Sequence, residues 1–187
     1  MSELISVVIP TYNRAAFIDR TIESVLNQTF SSVEVIVVDD GSTDNTKELV
    51  QKFNHLPNFK YLYQTNKGRS AARNEGAKQA KGDWIMYLDS DDYLVKEALD
   101  ILYRLAIEAT DSDIVYANFI YVSANRQLPG QQHLFRGKAL NKNLFFEMID
   151  QRYCFTKTGT YLVKKKQDAD IGGFATEFEP SEDFDYA

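Results

Sequence analysis

The run Ile5-Ser6-Val7-Val8-Ile9 is short, apolar and rich in β-branched residues, and Pro10 ends it, a pattern that predicts a buried strand. The apolar period then changes, with Ile18, Ile22, Val25 and Leu26 recurring at helical spacing. Val33 to Val38 predicts a second strand, and Leu49, Val50 and Phe53 share one helical face behind a loop rich in Asp, Ser and Thr. Phe59 to Tyr63 predicts a third strand. Ala71, Ala72, Ala77 and Ala80 fill the next helix with small side chains, which suits close packing on a sheet. Trp84 to Leu88 predicts a fourth strand, Leu99, Leu102, Leu105 and Ala106 a further helix, and Ile114-Val115-Tyr116 another strand. Strands alternating with helices imply an α/β sandwich with a mostly parallel central sheet and right-handed crossovers.

From about Asn118 the periodicity weakens, leaving one helical patch around Leu144 to Ile149. With no linker or internal repeat, all 187 residues are expected to form one domain. Residues 1–117 would form its ligand-binding half and 118–187 an elaboration of the same unit. No apolar run approaches the length of a membrane span. The first residues, Met1 to Leu4, lack the basic flank and apolar core of a secretory signal, and the single cysteine, Cys154, forms no internal disulfide; both fit a cytoplasmic protein. A net charge of -6 argues against a broad nucleic-acid-binding surface.

In an open parallel sheet, ligands bind at the carboxyl ends of the strands. Three of those ends are polar in a consistent way: Pro10-Thr11-Tyr12-Asn13-Arg14, Asp39-Asp40-Gly41-Ser42-Thr43-Asp44 and Asp89-Ser90-Asp91-Asp92. Each alone reads equally as a turn or an N-cap. Together they gather carboxylates at one sheet edge, where mutual repulsion calls for a cation or a hydrogen-bonded ligand. Asp89 and Asp91, two apart, can face one side while Ser90 faces the other. Their hard oxygens suit Mn²⁺ or Mg²⁺ with water and phosphate completing the shell. An EF-hand starting at Asp89 fails, because Leu94 stands where Gly is needed and Asp100 where Glu is needed. Neither G-x-G-x-x-G nor G-x-x-x-x-G-K-[ST] occurs.

Four motifs, Val7-Val8-Ile9-Pro10-Thr11-Tyr12-Asn13, Val37 to Asp44, Asn66-Lys67-Gly68-Arg69-Ser70-Ala71-Ala72-Arg73-Asn74 and Leu88 to Asp92, resemble in order and spacing the inverting family-2 glycosyltransferases. A later echo, Gly172-Gly173-Phe174 followed by Glu182-Asp183, resembles that family's acceptor-side segment. The resemblance implies a GT-A, Rossmann-like three-layer sandwich. It also implies transfer of a sugar from a nucleoside-diphosphate sugar, UDP first, to a glycan or lipid-linked acceptor, as in bacterial surface polysaccharide synthesis. Peripheral association with the inner membrane face would follow from a lipid-linked acceptor.

The resemblance also distributes roles. Pro10, Thr11 and Tyr12 line the base pocket, Tyr12 offering an aromatic face, and Asp40 accepts from the uracil imide, while Asp39 is structural. Arg69 approaches the base or diphosphate. Arg73, one turn on, is expected to be a surface or salt-bridging residue. Asp91 coordinates the cation, and Asp89 contacts the ribose or the cation's shell; Asp92 reads as a cap of the following helix. Asp183 is the base and Glu182 its neighbour or an acceptor contact.

Two departures from the family pattern matter. The chain stops four residues after Asp183, where a helix is expected to follow, and no Q-x-x-R-W motif is present, which favours a non-processive enzyme. A truncated module that binds nucleotide sugars without catalysis, or a nucleotide-sugar hydrolase, are the alternatives; Tyr93 stands where an aspartyl phosphatase would carry Thr or Val.

Overall fold

The computed structural model describes residues 4–110, 112–117, 122–123, 126–127 and 158–176. In chain order the elements are β1 (Ile5–Thr11), α1 (Ile18–Leu26), β2 (Val33–Asp39), α2 (Thr46–Gln51), β3 (Phe59–Tyr63), α3 (Arg69–Gln79), β4 (Trp84–Tyr87), α4 (Ala98–Glu108), β5 (Ile114–Tyr116), β6 (Val122–Ser123), β7 (Arg126–Gln127), β8 (Tyr161–Lys164) and α5 (Lys165–Asp170). The helical patch expected at 144–149 lies outside the described residues, as do Glu182 and Asp183.

Six strands form one sheet in the order β3-β2-β1-β4-β8-β5. The first four run parallel, with Val7 opposite Val35 and Met86, and Val37 opposite Tyr61. β8 is antiparallel to both neighbours, with Val163 opposite Ile85 on one side and Ile114 on the other. The expected mostly parallel sheet is therefore present, and the antiparallel strand that makes it mixed comes from beyond residue 118. A period-2 alternation along β1 separates two cores: Ile5, Val7 and Ile9 pack with α1, α2 and α4, while Val8 packs on the side of α3. Gly76 allows α3 to lie flat on β1, since a Cβ there would collide with Val8 Cγ1. Among the described residues no helix is long and apolar enough to cross a membrane.

Strand order reverses at β1, which pairs with β2 on one side and β4 on the other, and such a switch opens a crevice at the carboxyl ends. Pro10 widens it. The Val8 carbonyl accepts from the Leu88 N–H at 2.9 Å, and Pro10, two residues further and turned to the same edge, has no N–H to continue that ladder.

Candidate active site

Loops at this switch point enclose a cleft of about 420 Å³ lined by Pro10, Thr11, Tyr12, Arg14, Asp40, Asn66, Gly68, Arg69, Ala72, Asp89, Ser90 and Asp91. Every described residue assigned a donor-side role from sequence stands on its wall.

The loop after β1 is tied to the loop after β2. Asn13, at φ 51, donates its N–H to Ser42 Oγ at 2.9 Å and accepts from the Thr43 N–H at 2.8 Å. Arg14 N–H donates to Thr46 Oγ1 at 3.0 Å and Ala15 N–H to Asp44 Oδ2 at 3.1 Å. Burial would raise the Asp44 pKa, but hydrogen bonds from the Thr46 hydroxyl and N–H and from Ala15 N–H hold it below the usual carboxylate value. Tyr12 is left 45% exposed at the cleft wall.

The adjacent acids Asp39 and Asp40 divide their work. Asp39 is fully buried and accepts from the Ser42 N–H and the Tyr61 hydroxyl, both at 2.8 Å. Burial, together with that bond to Asp39, pushes the Tyr61 hydroxyl pKa well up. Asp40, 3% exposed, accepts from Gln64 Nε2 at 2.7 Å, Lys67 N–H at 2.8 Å and Gly68 N–H at 2.9 Å. It thus shapes the 64–68 segment that delivers Arg69 to the cleft. A carboxylate has about four acceptor positions, and these three bonds fill all but one of them.

Asp89 to Asp92 form a turn rather than a continuation of β4, closed by Asp92 N–H donating to the Asp89 carbonyl at 3.0 Å. Ser90 is buried within it, and Thr21 Oγ1 lies 2.9 Å from the Ser90 carbonyl and 2.7 Å from that of Asp92. The two flanking carboxylates remain open, Asp89 at 36% and Asp91 at 50% side-chain exposure. Asp92 does not cap the next helix, because α4 begins only at Ala98.

Of the two expectations for Arg73, surface or salt-bridging, the structure shows the second. Its side chain is fully buried, and it meets Asp89 Oδ1 at 3.0 Å, because α3 lies so close to the sheet that its inner face has no path to solvent. Arg14, missed in the sequence reading, approaches Asp91 at 3.7 Å from the opposite wall. Its signal was present in Pro10-Thr11-Tyr12-Asn13-Arg14, but only the tertiary fold faces it toward the acids.

Among the described residues no group of three or more His, Cys, Asp or Glu is arranged to hold a metal ion. The donor set at the rim, two partly open carboxylates, still fits a hard cation of the kind that uses one or two carboxylates and takes its other oxygens from water and phosphate.

A doubly wound sheet with a polar cleft at its switch point, walled by acids and arginines from four strand ends, is the architecture of a GT-A fold. The chain belongs to glycosyl transferase family 2, whose model matches residues 6–175. It is 33% identical over 172 residues to glycosyltransferase GlyG of Streptococcus pneumoniae serotype 4, covering 91% of this chain and 52% of that protein. S. aureus TarS 1-349, solved with UDP-GlcNAc, superposes with a TM-score of 0.77 at 30% identity, covering 98% of this chain and 52% of that one. The mannosyltransferase PcManGT from Pyrobaculum calidifontis, solved with GDP-Man and Mn²⁺, shares the fold with a TM-score of 0.69 at 19% identity, covering 97% of this chain and 50% of that one. The chain spans about half the length of these proteins.

Proposed function

We propose that this domain binds a UDP-sugar in the switch-point cleft together with Mn²⁺ or Mg²⁺, and that the protein transfers the sugar to an acceptor hydroxyl in bacterial glycan synthesis. One observation carries the reading: Tyr12, Asp40, Arg69, Asp89 and Asp91 converge on one cleft from four separate loops. Tyr12 stacks on the base, the free acceptor position of Asp40 takes the imide N–H, and Arg14 and Arg69 face the diphosphate. Asp89 and Asp91 would hold the cation, which would supply Lewis-acid neutralisation of the departing diphosphate. GlcNAc-type donors head the test panel, because TarS was solved with UDP-GlcNAc.

Transfer is a single displacement. The acceptor oxygen forms a bond to the anomeric carbon as the bond from that carbon to the phosphate oxygen breaks; its electron pair leaves with UDP and the configuration inverts. Asp183 takes the acceptor proton, with Glu182 beside it contacting the acceptor. The acceptor is a glycan or lipid-linked hydroxyl, reached in the cytoplasm at the inner membrane face.

Calorimetry of UDP with and without Mn²⁺ tests the donor half. Binding should strengthen with Mn²⁺, and Asp91→Ala should remove that gain, at least ~tenfold or about 1.4 kcal/mol. Unchanged affinity and unchanged metal dependence in the mutant discard the assignment.

A further inference from the structure

Asn74 sits one residue past Arg73 on α3 and meets a segment 100 residues away. Its Nδ2 donates to the Phe174 carbonyl at 2.8 Å, and its Oδ1 accepts from the Phe174 N–H at 2.8 Å. One side-chain amide thereby pairs both backbone groups of one residue, as a neighbouring strand would. Gly173 makes this approach possible twice over. It holds φ +74, and a Cβ there would stand 2.5 Å from Asn74 Oδ1.

The clamp fixes where the Phe174 ring goes. That ring is buried, packs edge-on against Tyr87 at 4.8 Å and 87°, and lies 4.8 Å from the guanidinium of Arg73. Tyr87 is itself held by donating to the buried Asp168 Oδ1 at 2.6 Å. Arg73 in turn reaches Asp89 at the cleft rim. A buried guanidinium is costly unless its partners are well placed, and an aromatic face stabilises it most when water is excluded.

We propose that Asn74 is a positioning residue: by clamping the Phe174 peptide it seats the Phe174 ring over Arg73, and so fixes the guanidinium that holds Asp89 at the rim of the donor cleft. The inference rests on the reading of Asp89 as part of the cation and donor site. Outer groups that orient metal ligands typically contribute 10–100-fold to metal affinity. The base end of the cleft, built by Tyr12 and Asp40, does not depend on this chain of contacts.

The test compares UDP with Mn²⁺ against uridine, which lacks the diphosphate, in the full chain. Asn74→Ala and the milder Asn74→Asp, which keeps an acceptor for the Phe174 N–H but faces its carbonyl with oxygen, should weaken Mn²⁺-dependent UDP binding roughly tenfold while leaving uridine affinity within about twofold. Amide exchange at Phe174 should quicken by about tenfold or more in Asn74→Ala. Gly173→Ala should reproduce the binding loss, and combining it with Asn74→Ala should add little, because both break one contact. Equal weakening of UDP and uridine, or unchanged Mn²⁺-dependent binding in variants whose Phe174 exchange has quickened, overturns the proposal. If Asp89→Asn also leaves Mn²⁺-dependent UDP binding unchanged, the donor-site reading falls as well; if Asp89→Asn abolishes that binding while the Asn74 variants keep it, only the clamp falls.

Discussion

On one face of the sheet, α1, α2 and α4 lay Ile18, Ile22, Val25, Val50, Leu99 and Leu102 against the apolar side chains of β1, β2 and β4. On the other, α3 presents Ala72, Gly76 and Ala77, and the space near the carboxyl ends is filled by Arg73, Asn74, Phe174, Tyr87 and Asp168 in mutual contact. The first face is bound by non-directional burial of apolar area, which tolerates substitution of similar volume. The second also buries apolar side chains, and near the carboxyl ends it adds directed contacts, each needing a particular partner at a particular angle. Small residues bring α3 close enough for its polar side chains to reach the cleft rim from beneath. Both faces bury apolar side chains, but the α3 face adds a chain of directed contacts that ends at the cleft rim.

The sharpest way to break this division is Leu102→Ala on α4, which should cost about 2–5 kcal/mol in chemical denaturation. UDP affinity under folding conditions should stay within about twofold. A parallel loss of affinity would mean that apolar packing around α4 also sets the cleft. Asp40→Asn probes the boundary between the two regimes. Its amide nitrogen would face a backbone or side-chain N–H that now finds an oxygen, so the 64–68 segment should lose about 1–3 kcal/mol of stability. It should also weaken UDP more than GDP in parallel titrations; equal losses would assign Asp40 to loop structure alone.

The smallest effect is expected at Tyr61. The folded state holds its proton more tightly than the unfolded chain, because burial and the bond to Asp39 oppose ionisation. Its contribution is complete below about pH 10, the unperturbed tyrosine value, and is lost as pH rises above that point. Tyr61→Phe should flatten this alkaline decline in thermal unfolding and cost about 0.5–1.5 kcal/mol at neutral pH. An unchanged alkaline slope would remove Tyr61 as its source.

The strands from β1 to β5 and the helices between them were legible because each carries its own period, set by neighbours a few residues apart. That Pro10, Tyr12, Asp40, Arg69, Asp89 and Asp91 line one cleft was legible because strand ends in such a sheet converge by topology. β8 was not read, although Tyr161-Leu162-Val163 is an apolar run; its place between β4 and β5 depends on pairing across about 80 residues, as Ile85 with Val163. For Arg73 the sequence leaves surface and salt-bridging roles open, and only the close approach of α3 to the sheet selects the buried ion pair with Asp89. The Asn74 contact with Phe174 left no local trace at all. Periodicity and turn chemistry act between near neighbours and so are written in the chain, whereas the pairing of one side-chain amide with a backbone 100 residues away exists only once packing has brought the two together.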